Sequence, residues 1–484
     1  MIKALAATDL DGGIHQRIEF LAETIGDYPA LHINDETQTY AELNQHANQL
    51  AFHLQSVSDS AFIATQIADE MQTIICIVAI LKLGRVWIPI NNNLPSAQVA
   101  HYLGDFDKPL LLVDTDDISD ADFAVLNITQ CQLQADAPLV SAAVQKQDLT
   151  IIISTSGSTG KPKSVPWTYD KLLHNILLRS NLVANQPTLL SLWGMTYAAN
   201  IMNLLTTLCQ GGTIHIMDWQ RYTIADIHAR INQAKITILL SVPSVFRTVF
   251  ANVSPGDFPD LQEIRLGGEA MLASDFELFK RNFAPPTIIG NWMGSSEAGY
   301  MGIFKADHQT VITTATVPVG KTDGNPEVYV LNEQGKRVIG EAGEIHVSAP
   351  YITPYWKNPE ESARKFSPDP QREGWTIIHT GDLGMMLADG NLVHLGRSDQ
   401  QVKIRGQRVE LAAIENRMYQ HECVQQVVVN PYSSKHETRL AAYYVAHSGV
   451  DVPNDNMWRA FLAQSLPDYM LPTHYIRLDA LPTL

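Results

Sequence analysis

Apolar positions along the chain change their spacing in a repeating order. Between about Ile14 and Asn203, stretches with apolar residues at helical spacing, such as Tyr40 to Leu54, alternate with short apolar runs such as Ala61 to Thr65 and Pro109 to Val113. The first pattern predicts helices with one buried face and the second predicts strands. Their alternation predicts βαβ units, with parallel sheets covered by helices. Further strands are expected at Gly212 to Ile216, Ile236 to Leu240 and Pro286 to Ile289. From Val328 the texture shifts to short β segments punctuated by Asn332-Glu333-Gln334-Gly335 and Ala388-Asp389-Gly390-Asn391, the signals of hairpins in a smaller β-rich subdomain. After Arg397 an α+β pattern follows, with strands expected near Val402 to Ile404, Val427 to Asn430 and Leu440 to Val445. The predicted fold class is therefore α/β. A large N-terminal domain covers residues 1–397, with its β-rich subdomain from about 320 to 397, and a small α+β C-terminal domain covers 398–484. No internal repeat or low-complexity segment interrupts this order.

A chain of 484 residues exceeds what one ordinary core serves, in keeping with two or more domains. Its longest apolar stretch, Thr73 to Leu81, ends at Lys82, well short of the roughly 20 residues of a membrane span. The start, Met1-Ile2-Lys3-Ala4-Leu5, runs on to Asp9, Asp11 and Glu19 without a secretory apolar core, so residence in the cytoplasm and no membrane partner are expected. Cys76, Cys131, Cys209 and Cys423 have no metal-ligand spacing and read as reduced thiols. The formal net charge of −17 opposes an extended nucleic-acid surface, while leaving room for an acidic small molecule held by a local cation.

The apolar run Leu149 to Ile153 leads into Ser154-Thr155-Ser156-Gly157-Ser158-Thr159-Gly160-Lys161-Pro162-Lys163. Glycines and small hydroxyl residues at a strand end let backbone N–H groups wrap an anion, and Lys161 and Lys163 add charge. The stretch is not a Walker loop, because Thr155 stands where its first glycine belongs and Pro162 follows Lys161. A Gly/Ser-rich surface turn is the plain alternative.

Further motifs occur in a fixed order: Thr39-Tyr40-Ala41-Glu42-Leu43-Asn44, Leu81 to Ile90, Gly267-Gly268-Glu269-Ala270, Asn291-Trp292-Met293-Gly294-Ser295-Ser296-Glu297, His379-Thr380-Gly381-Asp382-Leu383, and Gly396 through Arg405-Gly406. With the phosphate loop they resemble the adenylate-forming superfamily of acyl-CoA synthetases, peptide-synthetase adenylation domains and luciferases, most closely the adenylation domains and aryl acid-activating enzymes. The resemblance implies a ligase that converts a carboxylate and ATP, with Mg²⁺, into an acyl adenylate and pyrophosphate, then passes the acyl group to a phosphopantetheine thiol on a carrier protein. It also implies a mobile C-terminal domain.

Roles follow from the same resemblance. Thr155, Ser156, Gly157, Ser158, Thr159, Gly160 and Lys161 would bind the ATP phosphates, with Thr159 and Lys163 also catalytic. Glu297 would hold Mg²⁺ and Ser296 would touch the α-phosphate. Gly268, Glu269, Ala270, Asn291, Trp292 and Met293 would surround the adenine; Met293 stands where adenylation domains commonly carry an aromatic residue. Asp382 and Arg397 would take the ribose, Asp399 would be the hinge of the small domain, and Lys403 and Gly406 would serve thiolation. The chain reaches Leu484 before the segment that carries the family's C-terminal lysine, so trimming from a longer protein is expected.

The alignment puts Ala198 where an amino acid-activating domain carries an aspartate for the α-ammonium group. Burying that ammonium without a carboxylate would be costly, which disfavours standard α-amino acids. Thr196, Ala198, Ala199, Met202, Ser244, Arg265, Gly267, Trp292, Tyr300 and Met301 would line the acid pocket. Small residues facing aromatic ones suit a flat aryl acid such as a hydroxy- or aminobenzoate, with Ser244 or Thr196 bonding a ring substituent. Arg265 either meets an acidic group of the substrate or pairs with Glu263 or Glu269; in the first case a small dicarboxylate, sulfonate or phosphonate becomes the alternative acid. An acyl-CoA ligase is the nearest alternative activity, although Leu192 to Thr196 lacks the His often found there in such ligases. A non-catalytic nucleotide-binding scaffold is a third reading.

Overall fold

The computed structural model describes the chain apart from residues 1–2, 93, 116–122, 156–161, 182–185, 194–197, 322–324, 398–400, 435–436, 448–449 and 482–484, and the side chains of 401, 408, 410, 412 and 433. Two large sheets dominate it. An eight-stranded sheet runs in the order Gly299–Ala306, Ile288–Ser295, Glu263–Gly267, Ile238–Ser241, Thr188–Ser191, Thr213–Ile216, Pro29–Ile33, Glu36–Thr39. Its inner pairings are parallel and both outermost strands antiparallel. The second sheet, of six strands, has the order Ala124–Asn127, Leu110–Val113, Phe62–Gln66, Val86–Pro89, Leu149–Thr155, Lys163–Thr168, antiparallel only in its last pair. The mixed α/β architecture is the one the apolar spacing predicts; most expected strands shift by a residue or two at their ends, while those at Pro286 to Ile289, Val427 to Asn430 and Leu440 to Val445 run longer, as Ile288–Ser295, Val424–Ser434 and Glu437–Ala446.

Local chemistry explains where elements begin. Thr39 and Glu42 form a reciprocal capping box, with the Glu42 amide donating to Thr39 Oγ1 at 3.2 Å and the Thr39 amide donating to Glu42 Oε2 at 2.9 Å, and helix Tyr40–Val57 starts there. The apolar stretch Thr73 to Leu81 lies in helix Glu70–Lys82, which is buried almost all round because it packs against strands of both large sheets. Among the described residues no helix is long and apolar enough to cross a membrane. The four cysteines are all unpaired.

The β-rich part is a five-stranded antiparallel sheet of Glu327–Leu331, Ala342–Ala349, Thr376–Met386, Phe366–Pro368 and Leu392–Arg397. The Ala388 to Asn391 turn closes the hairpin that sets Asp382 opposite Arg397. Beyond it, the hairpin Gln401–Ile404/Gln407–Glu410, the sheet Val424–Ser434/Glu437–Ala446/His474–Arg477 and the helices Leu411–Tyr419 and Asp455–Ala463 share a core drawn from Ile404 to Leu471, centred on fully buried Trp458.

Candidate active site

The parallel strands Ile238–Ser241, Glu263–Gly267 and Ile288–Ser295 all point their C-terminal ends toward one cavity of about 240 Å³, the usual location for a ligand crevice in such a sheet. Trp193, Ala198, Ala199, Met202, Arg265, Gly267, Trp292 and Met301 form part of its wall. Thr155, Gly268, Met293, Ser295, Ser296, Glu297, Asp382 and Arg397 form another part, and Lys403, Gly406 and Tyr469 of the C-terminal unit complete it. Gly268 has φ +81°, a left-handed backbone that favours glycine, and a Cβ there would lie in ordinary contact, 3.5 Å from the Gly406 Cα.

Cross-strand pairing puts Asp382 and Arg397 side by side. Arg397 Nη1 donates to Asp382 Oδ1 at 3.0 Å and Nη2 donates to the Thr380 carbonyl at 3.3 Å, while His394 Nε2 lies 3.2 Å from the same Asp382 oxygen. Burial alone would raise the Asp382 carboxyl. The hydrogen bond to His394 and the charges of Arg397 and Lys403 outweigh it and hold that carboxyl at about 2. The result is an oriented carboxylate on the cavity wall, able to accept two hydroxyl hydrogen bonds.

Glu297 sits in the turn between Ile288–Ser295 and Gly299–Ala306 and is only 2% exposed. Tyr355 donates its hydroxyl to Glu297 Oε1 at 2.9 Å. The turn is fastened from behind: Lys171 Nζ donates to the carbonyls of Ser296 at 2.9 Å and Glu297 at 2.6 Å, and Trp167 Nε1 donates to that of Ser296 at 2.7 Å. Burial pulls the Lys171 ammonium down to about 7 despite the charge of Glu297. Lys171 was not among the expected site residues, and neither were Arg179 and Trp193. The available signal was spacing, because Lys171, Asn175 and Arg179 recur every four residues on helix Tyr169–Ser180 and form a buried polar stripe on an otherwise apolar inner side.

Several expected residues take other partners. Lys163 is buried and off the cavity wall, with Nζ 2.5 Å from Glu361 Oε1. Asn291, adjacent to Trp292 on a strand, points to the opposite face, where Nδ2 donates to the carbonyls of Val317 at 2.9 Å and Pro318 at 3.0 Å. Ser244 does not reach the acid pocket: its amide and hydroxyl each donate to the Glu269 carboxylate at 3.0 Å. Glu269, whose carboxyl is raised by burial and lowered in part by those bonds and by the Gly406 amide, lies off the wall, as does exposed Ala270. Tyr300 packs edge-on against Trp292, with ring centroids 5.6 Å apart, and is also off the wall. Arg265 meets both descriptions: it lines the cavity and bonds Glu263 Oε2 at 3.0 Å. Ser156, Gly157, Ser158, Thr159, Gly160, Lys161, Thr196 and Asp399 lie outside the described residues.

Comparisons with known proteins give a sequence family and a shared fold. The sequence family described as AMP-binding enzyme matches residues 19–356. Tyrocidine synthase 3 of Brevibacillus parabrevis is 30% identical over 482 residues; the match covers 95% of this chain and 7% of the synthase, so the chain spans less than a tenth of that relative. NpsA-ThdA, an artificially fused adenylation–PCP di-domain from Klebsiella oxytoca, superposes with a TM-score of 0.83 at 24% identity, over 97% of this chain and 95% of that one. A double mutant of o-succinylbenzoate CoA synthetase from Bacillus subtilis, bound with its product analogue, does so with a TM-score of 0.83 at 20% identity, over 96% and 95%. At such identities the two structures establish a common fold.

Proposed function

From the premise that the chain belongs to the AMP-binding enzymes, a family of adenylate-forming ligases, we propose that it joins a carboxylic acid to AMP and then delivers the acyl group to a pantetheine thiol. The observation that carries the reading is one cavity holding an aromatic-lined pocket, the oriented Asp382–Arg397 pair and buried Glu297 together. In the first step a carboxylate oxygen of the acid attacks the α-phosphorus of ATP and the bond to the β-phosphate breaks, releasing pyrophosphate. In the second the thiol sulfur attacks the acyl carbonyl, AMP departs and the thiol proton is lost.

Asp382 and Arg397 hold the ribose in this reading, Ser296 meets the α-phosphate and Met293 covers a face of the adenine. Glu297 fits a Mg²⁺ that is otherwise ligated by phosphate oxygens and water: its carboxylate is on the wall, and among the described residues no group of three or more His, Cys, Asp and Glu offers a cage of its own. Such an ion neutralises phosphate charge. Lys171 and Trp167 fix the carbonyls behind Ser296 and Glu297, so the turn is preorganised. Residues 1–397 and 398–484 act as two domains, with Asp399 as the hinge and Lys403 and Gly406 serving thiolation.

The acid is an aryl acid. Trp193, Trp292, Ala198 and Ala199 line the pocket, and an α-ammonium group would be buried there without a compensating carboxylate at Ala198. A carrier protein is the acceptor, a reading supported by the carrier-fused neighbour; coenzyme A is the second reading, supported by the CoA synthetase neighbour. ATP–pyrophosphate exchange by the full-length protein, run across benzoates, α-amino acids and small dicarboxylates, tests the proposal. Exchange with benzoates, lost at least about 100-fold in kcat in Glu297→Gln, is expected. ATP binding with no acid-dependent exchange would instead identify a nucleotide-binding scaffold.

A further inference from the structure

Arg179 is 7% exposed, yet its guanidinium lies on the cavity wall. Among the described residues its hydrogen bond to a side chain is the 3.3 Å contact of Nη1 with Asn175 Oδ1, a neutral amide, and Nε has no partner. The neighbouring Arg265 is 3% exposed and also leaves Nε unpartnered. The guanidinium carbons of Arg179 and Arg265 lie 5.8 Å and 4.8 Å from the centre of the Trp292 ring, so both cations face one aromatic wall. The Glu263 carboxylate is shared between Arg265 at 3.0 Å and Lys305 at 3.3 Å. Among the described residues Arg179 has no ion-pair partner. A buried cation in that state is costly, and its burial together with repulsion by Arg265 pulls Arg179 down to about 10.

The position of this charge within the cavity is defined by the strand. Trp292 marks the arginine end of Ile288–Ser295, and Ser295, three residues on, marks the end beside Ser296 and Glu297, about 10 Å away at the usual rise per residue. A carboxylate presented to ATP at the second end leaves the far end of the same acid against the arginines.

We infer that Arg179, with Arg265 beside it, receives a second anionic group on the acid, so that the substrate is a dicarboxylate or a carboxylate bearing a sulfonate or phosphonate. This rests on the acid-activating reading above and specifies its substrate. The planar guanidinium offers a fork of N–H donors to such a group, and the exchange of an unpaired buried cation for a paired one favours the dianion over its neutral-tailed counterpart. The side chain acts on recognition of the tail, at a distance from the bond that forms.

Calorimetric binding to the full-length protein, with isophthalate and 3-sulfobenzoate set against benzoate and 3-hydroxybenzoate, and succinate against butyrate, separates this inference from the parent reading. The expected result is binding of at least one dianion at least tenfold tighter than its monoanion counterpart, with that ratio collapsing in Arg179→Gln and partly restored in Arg179→Lys. Thermal unfolding identifies any variant that fails to fold, and the Lys variant keeps the charge where the Gln variant is lost. Equal binding of dianions and monoanions, a ratio unchanged in Arg179→Gln, or no binding of any dianion overturns the inference. Pyrophosphate exchange with the same acids reports on the parent reading: Arg179-dependent binding without exchange upholds this inference and removes acid activation.

Discussion

Asp382 is a single carboxylate whose charge is set by its neighbours. Because Arg397, Lys403 and the His394 hydrogen bond overcome its burial, its folded value of about 2 lies below its ordinary 3.8. A depressed carboxyl contributes stability that is fully present above the ordinary value and is lost as pH falls through the folded one, so the window here runs from 3.8 down to about 2. The contribution is ~2 kcal/mol. In urea denaturation the stability gap between wild type and Asp382→Asn should therefore be full at pH 5 and should narrow by pH 3. A gap of constant size over that interval would mean that the carboxylate charge is not what Arg397 and His394 hold.

At the scale of elements, the hairpin Ile288–Ser295/Gly299–Ala306 and the helix Tyr169–Ser180 meet tightly at Asn175, in addition to the Lys171 bonds to the turn. Gly299 has φ +74°, and a Cβ there would come within 2.6 Å of Asn175 Oδ1 and 2.7 Å of Nδ2. Asn175 is also the residue that accepts the Tyr300 amide at 2.9 Å and contacts Arg179. Gly299→Ala should therefore cost about 2 kcal/mol or more, from left-handed backbone strain and displacement of Asn175, and should lower acid-dependent exchange as the turn carrying Glu297 shifts. Thermal unfolding within a degree or two of wild type would show that the hairpin and helix are not coupled through this contact. What is legible in the sequence is the hairpin's first strand, from the run Pro286 to Ile289, and the helix–strand alternation that runs to about Asn203. The contact of helix and hairpin is not, because Lys171 and Glu297 are 126 residues apart and no local pattern records which helix backs which turn.

Across the whole molecule, the C-terminal unit closes the cavity. The Gly406 amide bonds the Glu269 carboxylate, Gln98 reaches the Ser465 carbonyl, and Lys403 and Tyr469 reach the wall. Removing the Glu269 acceptor in Glu269→Ala should weaken this docking by ~1.5 kcal/mol, seen in small-angle scattering as a larger radius of gyration; an unchanged radius would assign the docking to other contacts. The chain's sequence by itself determined the alternation that builds parallel sheets, the capping box at Thr39, the hairpin that pairs Asp382 with Arg397, and the stretch from Trp292 to Glu297 at a strand end. These depend on spacing over a few residues, where backbone geometry dictates which side chains share a face. Only the tertiary structure decided that Lys163 turns to Glu361, that Ser244 is consumed by Glu269, and that Lys171 and Arg179 arrive at the site. Each of those outcomes depends on which partner a buried charge or hydroxyl meets across the packed core, and burial obliges such groups to take a partner that local sequence does not name.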